Sequence, residues 1–202
     1  MSLKLFTICL YNIIMKAIFL DRDGIINKDH SYVYKKEDFE FCDGIFETLS
    51  YLVSLGYTLF IVTNQSGIGR GYYSEEDFNK LTAWMLEVFM QKGIKITKVY
   101  HCPHSPDENC ICRKPKAGMF KRAKEEFGID MKNSWMIGDK LSDIQAGKNA
   151  GIPNTIFVNS SKCQEASYSI KSILDTINII RAPLITLDTH NVTSFFLGEA
   201  LT

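Results

Sequence analysis

Apolar residues in this chain follow two alternating rhythms. Short apolar runs of strand length occur at 16–21 (KAIFLD), 57–64 (YTLFIVTN), 98–102 (KVYHC), 134–139 (SWMIGD) and 154–159 (NTIFVN). Between them, apolar residues recur three or four positions apart, which predicts helices. Over 44–55 these are Ile45, Leu49, Leu52, Val53 and Leu55, and Gly56 stops the pattern. Over 74–93, Ser74 offers an N-cap, acidic residues fill the first turn and Lys92-Gly93 closes the segment. Further helices are expected over 116–128, 140–150 and 164–176.

Strands interleaved with helices predict a parallel sheet covered on both faces. The expected fold is α/β: a three-layer α/β/α sandwich around a mainly parallel, Rossmann-like sheet. Ligands in such sheets bind beyond the carboxyl ends of the strands, and the polar residues of interest lie there. Residues 1–14 read as an N-terminal extension, 15–180 as one domain containing a cysteine-rich loop at 101–115, and 181–202 as a tail. The stretch LFTICLYNIIM (5–15) resembles a signal-peptide core, but no small-residue cleavage site follows it. Met15 is therefore taken as the start of the functional domain, and the compartment as the reducing cytoplasm.

Lys+Arg and Asp+Glu balance at 23 each. That removes the basic field a non-specific nucleic-acid binder needs. No apolar run is long enough to span a bilayer. The expected partner is a small molecule, met by a monomer.

The first predicted strand ends in DRDG, so alternation can aim Asp21 and Asp23 the same way. The fourth ends in GDKLSD, which supplies Asp139 and Asp143. Close carboxylates need a proton or a cation, and Mg²⁺ suits an all-oxygen site. The second strand runs into TNQSGIGRG, where Thr63, Asn64, Gln65 and Ser66 could hold a phosphate. In HCPHSPDENCICRKPK, Cys102, His104, Cys110 and Cys112 form a Cys₃His set suited to tetrahedral zinc. His101 is a rival ligand, and a disulfide would leave an odd cysteine in the cluster. Cys9, Cys42 and Cys163 read as small apolar residues. A zinc-pinned loop would fix Lys114, two residues beyond the last ligand, with Arg113 beside it.

FLDRDGIIN, TNQSGIGRG, CPHSPDENCICRKP and GDKLSDIQA, in this order across 16–160, resemble the haloacid dehalogenase superfamily. They are most similar to its heptose-bisphosphate and histidinol-phosphate phosphatases. The resemblance implies a Mg²⁺-dependent phosphomonoesterase. Asp21 would be the nucleophile and Asp23 the general acid/base; Thr63 and Lys114 would steady the phosphoryl group. Mg²⁺ would be held by Asp21, the Asp23 carbonyl and Asp139, with Asp143 in support. His104 is preferred as the fourth ligand of a structural zinc. Asp29, His30, Ser31, Tyr32, Asn64, Gln65, Ser66, Arg113 and Lys140 would contact substrate. Ile25 stands where the family usually has Thr or Val. No large insertion follows Gly24 or Gly71, so the cap should be minimal. The expected reaction removes the 7-phosphate of D-glycero-D-manno-heptose 1,7-bisphosphate. Histidinol phosphate is the alternative substrate, and a non-catalytic zinc-stabilised binding module the remote alternative.

Overall fold

A computed structural model describes residues 15–182. The extension at 1–14 and the tail from 183 onward lie outside the described residues. Six strands, β1 (Ala17–Leu20), β2 (Thr58–Asn64), β3 (Ile96–Cys102), β4 (Trp135–Gly138), β5 (Asn154–Val158) and β6 (Tyr168–Ile170), form one sheet. Its order is β3-β2-β1-β4-β5-β6, with every pairing parallel. Chain order reverses across the β1/β4 pair, where Leu20 lies opposite both Ile61 of β2 and Ile137 of β4. Such a reversal opens a crevice beyond the strand ends.

Both faces of the sheet are covered at its centre, which is why β1, β2, β4 and β5 are apolar along most of their length rather than alternating, while the edge strands β3 and β6 are only partly buried. Ile18 and Leu20 of β1 pack with Leu49 and Leu52 of α1 (Ile45–Ser54) and, beyond the single-turn α2 (Ser66–Gly69), with Met85 and Phe89 of α3 (Glu75–Gln91). Ala17 and Phe19 face the other way, toward Met119 and Phe120 of α4 (Gly118–Phe127) and Ala146 of α5 (Leu141–Asn149). Phe19 is fully buried, with its ring centroid 5.5 Å from Phe60 and 5.0 Å from Phe120. Truncating it to Ala would cost about 3–5 kcal/mol. The predicted N-cap is present: Ser74 and Asp77 form a reciprocal capping box on α3.

One expectation fails. The helix predicted at 164–176 is replaced by β6, a 3-10 turn at Ile173–Asp175 and a short helix, α6 (Thr176–Ile179). Serines divert this backbone. Ser167 Oγ accepts from the Thr155 amide, Ser169 Oγ from Cys163 and Ser172 Oγ from Leu174. Such local bonds compete with helix formation. No helix among the described residues is long and apolar enough to cross a membrane.

Candidate active site

Asp21 follows β1 and Asp139 follows β4, so the sheet reversal brings them together. One oxygen each from Asp21, Asp139 and Asp143 lies within 4.8 Å of the others. Asp143 sits in the first turn of α5, where Oδ2 accepts the Lys140 amide at 3.0 Å. Two glycines make room for this cluster. A Cβ on Gly138 would lie 2.3 Å from the Asp143 Cβ. A Cβ on Gly24, whose φ is +92°, would lie 2.3 Å from Asp139 Oδ2.

Lys114 is buried against the same carboxylates. Its Nζ lies 2.8 Å from Asp21 Oδ1 and 2.7 Å from Asp143 Oδ1, and donates to the Val62 carbonyl at 2.8 Å. Burial alone would lower the lysine pKa, but Asp143 and Asp21 together raise it. Burial pushes Asp21 up to about 6; Lys114 opposes the shift, while Asp143 and Asp23 add to it. Asp139 is pushed up to about 7 by burial and then by the Asp21 charge. Its Oδ1 is buried without a hydrogen-bond partner. Three crowded carboxylates, one cation and an orphaned oxygen fit a divalent, oxygen-loving ion.

Asp23 stands at the cleft side of this cluster. Its Oδ1 accepts from Arg22 Nη2 at 2.9 Å and Asn27 Nδ2 at 3.1 Å. Its Oδ2 accepts from Gln65 Nε2 at 2.9 Å. The same Gln65 nitrogen donates to Thr63 Oγ1 at 2.8 Å, and the Tyr73 hydroxyl donates to Gln65 Oε1 at 2.6 Å.

A cleft of about 360 Å³ opens above these groups. Asp23, Asn64, Gln65, Ser66, Arg113 and Lys114 line it, as do Asp29, Ser31, Tyr32 and Lys140. Lys140 Nζ donates to Asp29 Oδ2 at 2.9 Å. Partial burial works against ionisation of Asp29, but this bond and the Ser31 amide outweigh it and lower its pKa. Ser31 and Tyr32 are left-handed, with φ of 60° and 54°. Two consecutive non-glycine residues in that region cost about 1–2 kcal/mol each, and such strain concentrates at ligand-holding loops.

Most of the expected contacts therefore converge. His30 does not line this cleft. It faces a second groove beside Glu37 and Asp38, with Nε2 3.8 Å from Glu40. Thr63 lies beneath Gln65, almost fully buried. Tyr73 and Ser142 line the cleft without having been singled out in the sequence. Asp143, expected only as support, stands inside the carboxylate cluster.

Cys102, His104, Cys110 and Cys112 also converge. Cys102 Sγ is 3.6 Å from Cys110 Sγ, 3.2 Å from Cys112 Sγ and 3.5 Å from His104 Nδ1. No two sulfurs are at bonding distance, and all three cysteines are free thiols. Tetrahedral bonds of about 2.3 Å place ligand atoms about 3.8 Å apart, so the cluster can close around one ion with small adjustments. His101 points elsewhere, bonding Glu75 Oε1 at 2.6 Å and packing on the Phe78 ring at 4.2 Å. Asn64 fastens the end of the loop: its Oδ1 accepts the Lys114 amide at 3.0 Å, and its Nδ2 donates to the Lys114 carbonyl at 3.2 Å.

Residues 111–177 match a HAD-hydrolase-like family model. A Campylobacter jejuni D-glycero-alpha-D-manno-heptose-1,7-bisphosphate 7-phosphatase is 57% identical over 167 residues, covering 82% of this chain and 96% of that protein. A Helicobacter pylori D-glycero-beta-D-manno-heptose-1,7-bisphosphate 7-phosphatase is 47% identical, covering 82% of this chain and 98% of that protein. A D,D-heptose 1,7-bisphosphate phosphatase from B. bronchiseptica, solved with magnesium and phosphate, superposes with a TM-score of 0.73 at 28% identity, covering 80% of this chain and 96% of that one. With the carboxylates, lysine and cleft placed as the fold demands, the chain belongs to the heptose-1,7-bisphosphate 7-phosphatase family of the haloacid dehalogenase superfamily.

Proposed function

We propose that this chain removes the 7-phosphate of D-glycero-D-manno-heptose 1,7-bisphosphate, in the synthesis of nucleotide-activated heptose. One observation carries the reading. A buried carboxylate cluster with its own lysine opens into a cleft whose cations continue past the reaction point, to Arg113 and Lys140.

Asp21 attacks phosphorus and forms an aspartyl-phosphate as the sugar oxygen departs. That attack needs ionised Asp21, which Lys114 favours. Asp21, Asp139 and the Asp23 carbonyl would hold Mg²⁺, with Asp143 close by; the ion would supply charge neutralisation and orientation. Asp23 protonates the departing oxygen, then takes a proton from the water that hydrolyses the aspartyl-phosphate. Lys114 and Thr63 steady the phosphoryl oxygens. Asn64 holds Lys114 in place, and Asp29, Ser31, Tyr32, Ser66, Arg113 and Lys140 surround the rest of the substrate.

Cys102, His104, Cys110 and Cys112 would hold a structural zinc. Four protein ligands leave no position for substrate, and the ion would stiffen the segment that carries Arg113 and Lys114. Residues 15–180 act as one phosphatase domain, working as a cytoplasmic monomer.

Substrate choice is tested by kcat/KM for the heptose bisphosphate against histidinol phosphate. A guanidinium suits a second phosphate and should repel a cationic amine. The bisphosphate should be turned over at least about 100-fold more efficiently, and Arg113→Ala should penalise it far more than an aryl phosphate. A higher kcat/KM for histidinol phosphate would reject the heptose reading and leave the phosphatase chemistry standing.

A further inference from the structure

Arg22, the residue between the two acids of DRDG, belongs to none of the roles above, yet it is among the largest fully buried side chains. A buried guanidinium is expensive unless its partners are well placed. Its Nη2 makes two contacts, donating to Asp23 Oδ1 at 2.9 Å and to the Val33 carbonyl at 2.7 Å. Its Nε adds a longer contact to the same Asp23 oxygen at 3.3 Å. Nη1 has no hydrogen-bond partner, and the group packs 5.9 Å from the Phe78 ring centroid. The cation is therefore not part of a wider salt-bridge network. It serves one carboxylate and one carbonyl.

Both contacts are at functional places. Val33 directly follows the left-handed pair Ser31 and Tyr32 at the cleft. Asp23 Oδ1 also accepts from Asn27, so three donors crowd that oxygen. A proton there would meet N–H groups and find no acceptor. Oδ2 takes a single bond, from Gln65, and keeps a lone pair for other work.

We infer that Arg22 is a positioning residue that fixes Asp23 with Oδ2 as the proton-carrying oxygen and ties that orientation to the substrate loop through Val33. This deepens the proposed function and rests on its reading of Asp23 as the acid. As the Asp21 oxygen–phosphorus bond forms and the phosphorus–sugar oxygen bond breaks, the departing oxygen keeps the bonding pair. It takes the proton from Asp23 Oδ2, which is left as a carboxylate. Arg22 itself touches no reacting atom.

The test is leaving-group dependence. A sugar alkoxide needs a well-aimed acid; dinitrophenolate leaves without one. Asp23 also serves the later hydrolysis of the aspartyl-phosphate, so the readout is the first turnover: Arg22→Met should slow release of the sugar monophosphate by about 100-fold and of dinitrophenolate by less than about threefold. KM for the bisphosphate should rise as the Val33 anchor is lost, with KM for the aryl phosphate unchanged. Arg22→Lys keeps the buried charge without the planar fork, and should show the same selectivity at about tenfold. It carries the test if thermal melts show that the Met variant does not fold. Asp23→Asn runs alongside. If it slows the first turnover of both substrates equally, the acid assignment fails. If Asp23→Asn is selective in the first turnover while the folded Arg22 variant slows that turnover of both substrates equally, or of neither, the inference about Arg22 is overturned.

Discussion

Removing the divalent ion should make the protein's stability fall as pH rises, and the size of the fall can be worked from two carboxylates. Without an ion, burial pushes Asp21 up to about 6, with Asp143 and Asp23 adding to the shift, and pushes Asp139 up to about 7, with the Asp21 charge adding to it, from 3.8 in an unfolded chain. A carboxyl with a raised folded pKa keeps its proton longer in the folded state. Its contribution is complete below pH about 4 and is lost as pH climbs through the folded value. Alone, Asp21 would lose about 3 kcal/mol and Asp139 about 4 kcal/mol. Repulsion between the pair enters once, in the Asp139 shift, so the two losses add, and about 4 kcal/mol of the sum falls between pH 5 and 7.5. For a chain of this size that is about 8–16 °C in Tm. Adding Mg²⁺ at 100 times its Kd should return about 2.7 kcal/mol. The assay is a thermal melt from pH 5 to 7.5 in Mg²⁺-free buffer, repeated with Mg²⁺. Asp139→Asn isolates the site from other titrating groups. It should melt above the wild type in the ion-free state at pH 7.5, with a much reduced Mg²⁺ response and little activity. An ion-free melt that is flat or rising with pH, or an Asn variant no more stable than wild type, would refute the electrostatic account.

Two further outcomes bear on the proposed chemistry. Asp21→Asn should abolish turnover without changing the fold; near-normal activity in protein shown by mass spectrometry to retain Asn would remove Asp21 as nucleophile. Purified protein should contain about one zinc per chain, and Cys112→Ser should lose it. That variant should also lose at least about tenfold in kcat with every catalytic acid intact, because Lys114 lies two residues on. Metal analysis and steady-state rates check this together, and fully active zinc-free protein would reject the structural-zinc reading.

The parts of the fold legible in the sequence were those with a physical signature in consecutive residues. β1, β2, β4 and β5 are apolar runs because helices bury both faces of the sheet's centre. α3 begins where Ser74 and Asp77 cap it. The carboxylate cluster was legible because Asp21 and Asp139 sit at strand ends, where polar residues interrupt apolar runs, and Asp143 follows Asp139 in the first turn of α5. The segment 164–176 was misread because its outcome depends on serines bonding to Thr155 and to one another's neighbours, which periodicity does not express. His30 lies in sequence among cleft residues, but the left-handed turn at Ser31 and Tyr32 separates it from them. Tyr73 and Arg22 reach the site through Gln65 and Asp23. Contacts at second hand leave no spacing in a sequence to read.

The reversal of strand order has a consequence for the chain during its synthesis. β1 is flanked by β2 and β4, so Asp21 is made early and gains Asp139 only after more than a hundred further residues. A nascent chain stopped before Trp135 would contain Asp21, Asp23 and Lys114, and even the complete cysteine-histidine set, yet lack two of the three clustered carboxylates. Competence for the divalent ion thus arrives late, as a report that the central strand has found its second neighbour. Truncated or stalled products would carry Asp21, the proposed nucleophile, without the two carboxylates that complete the cluster beside it.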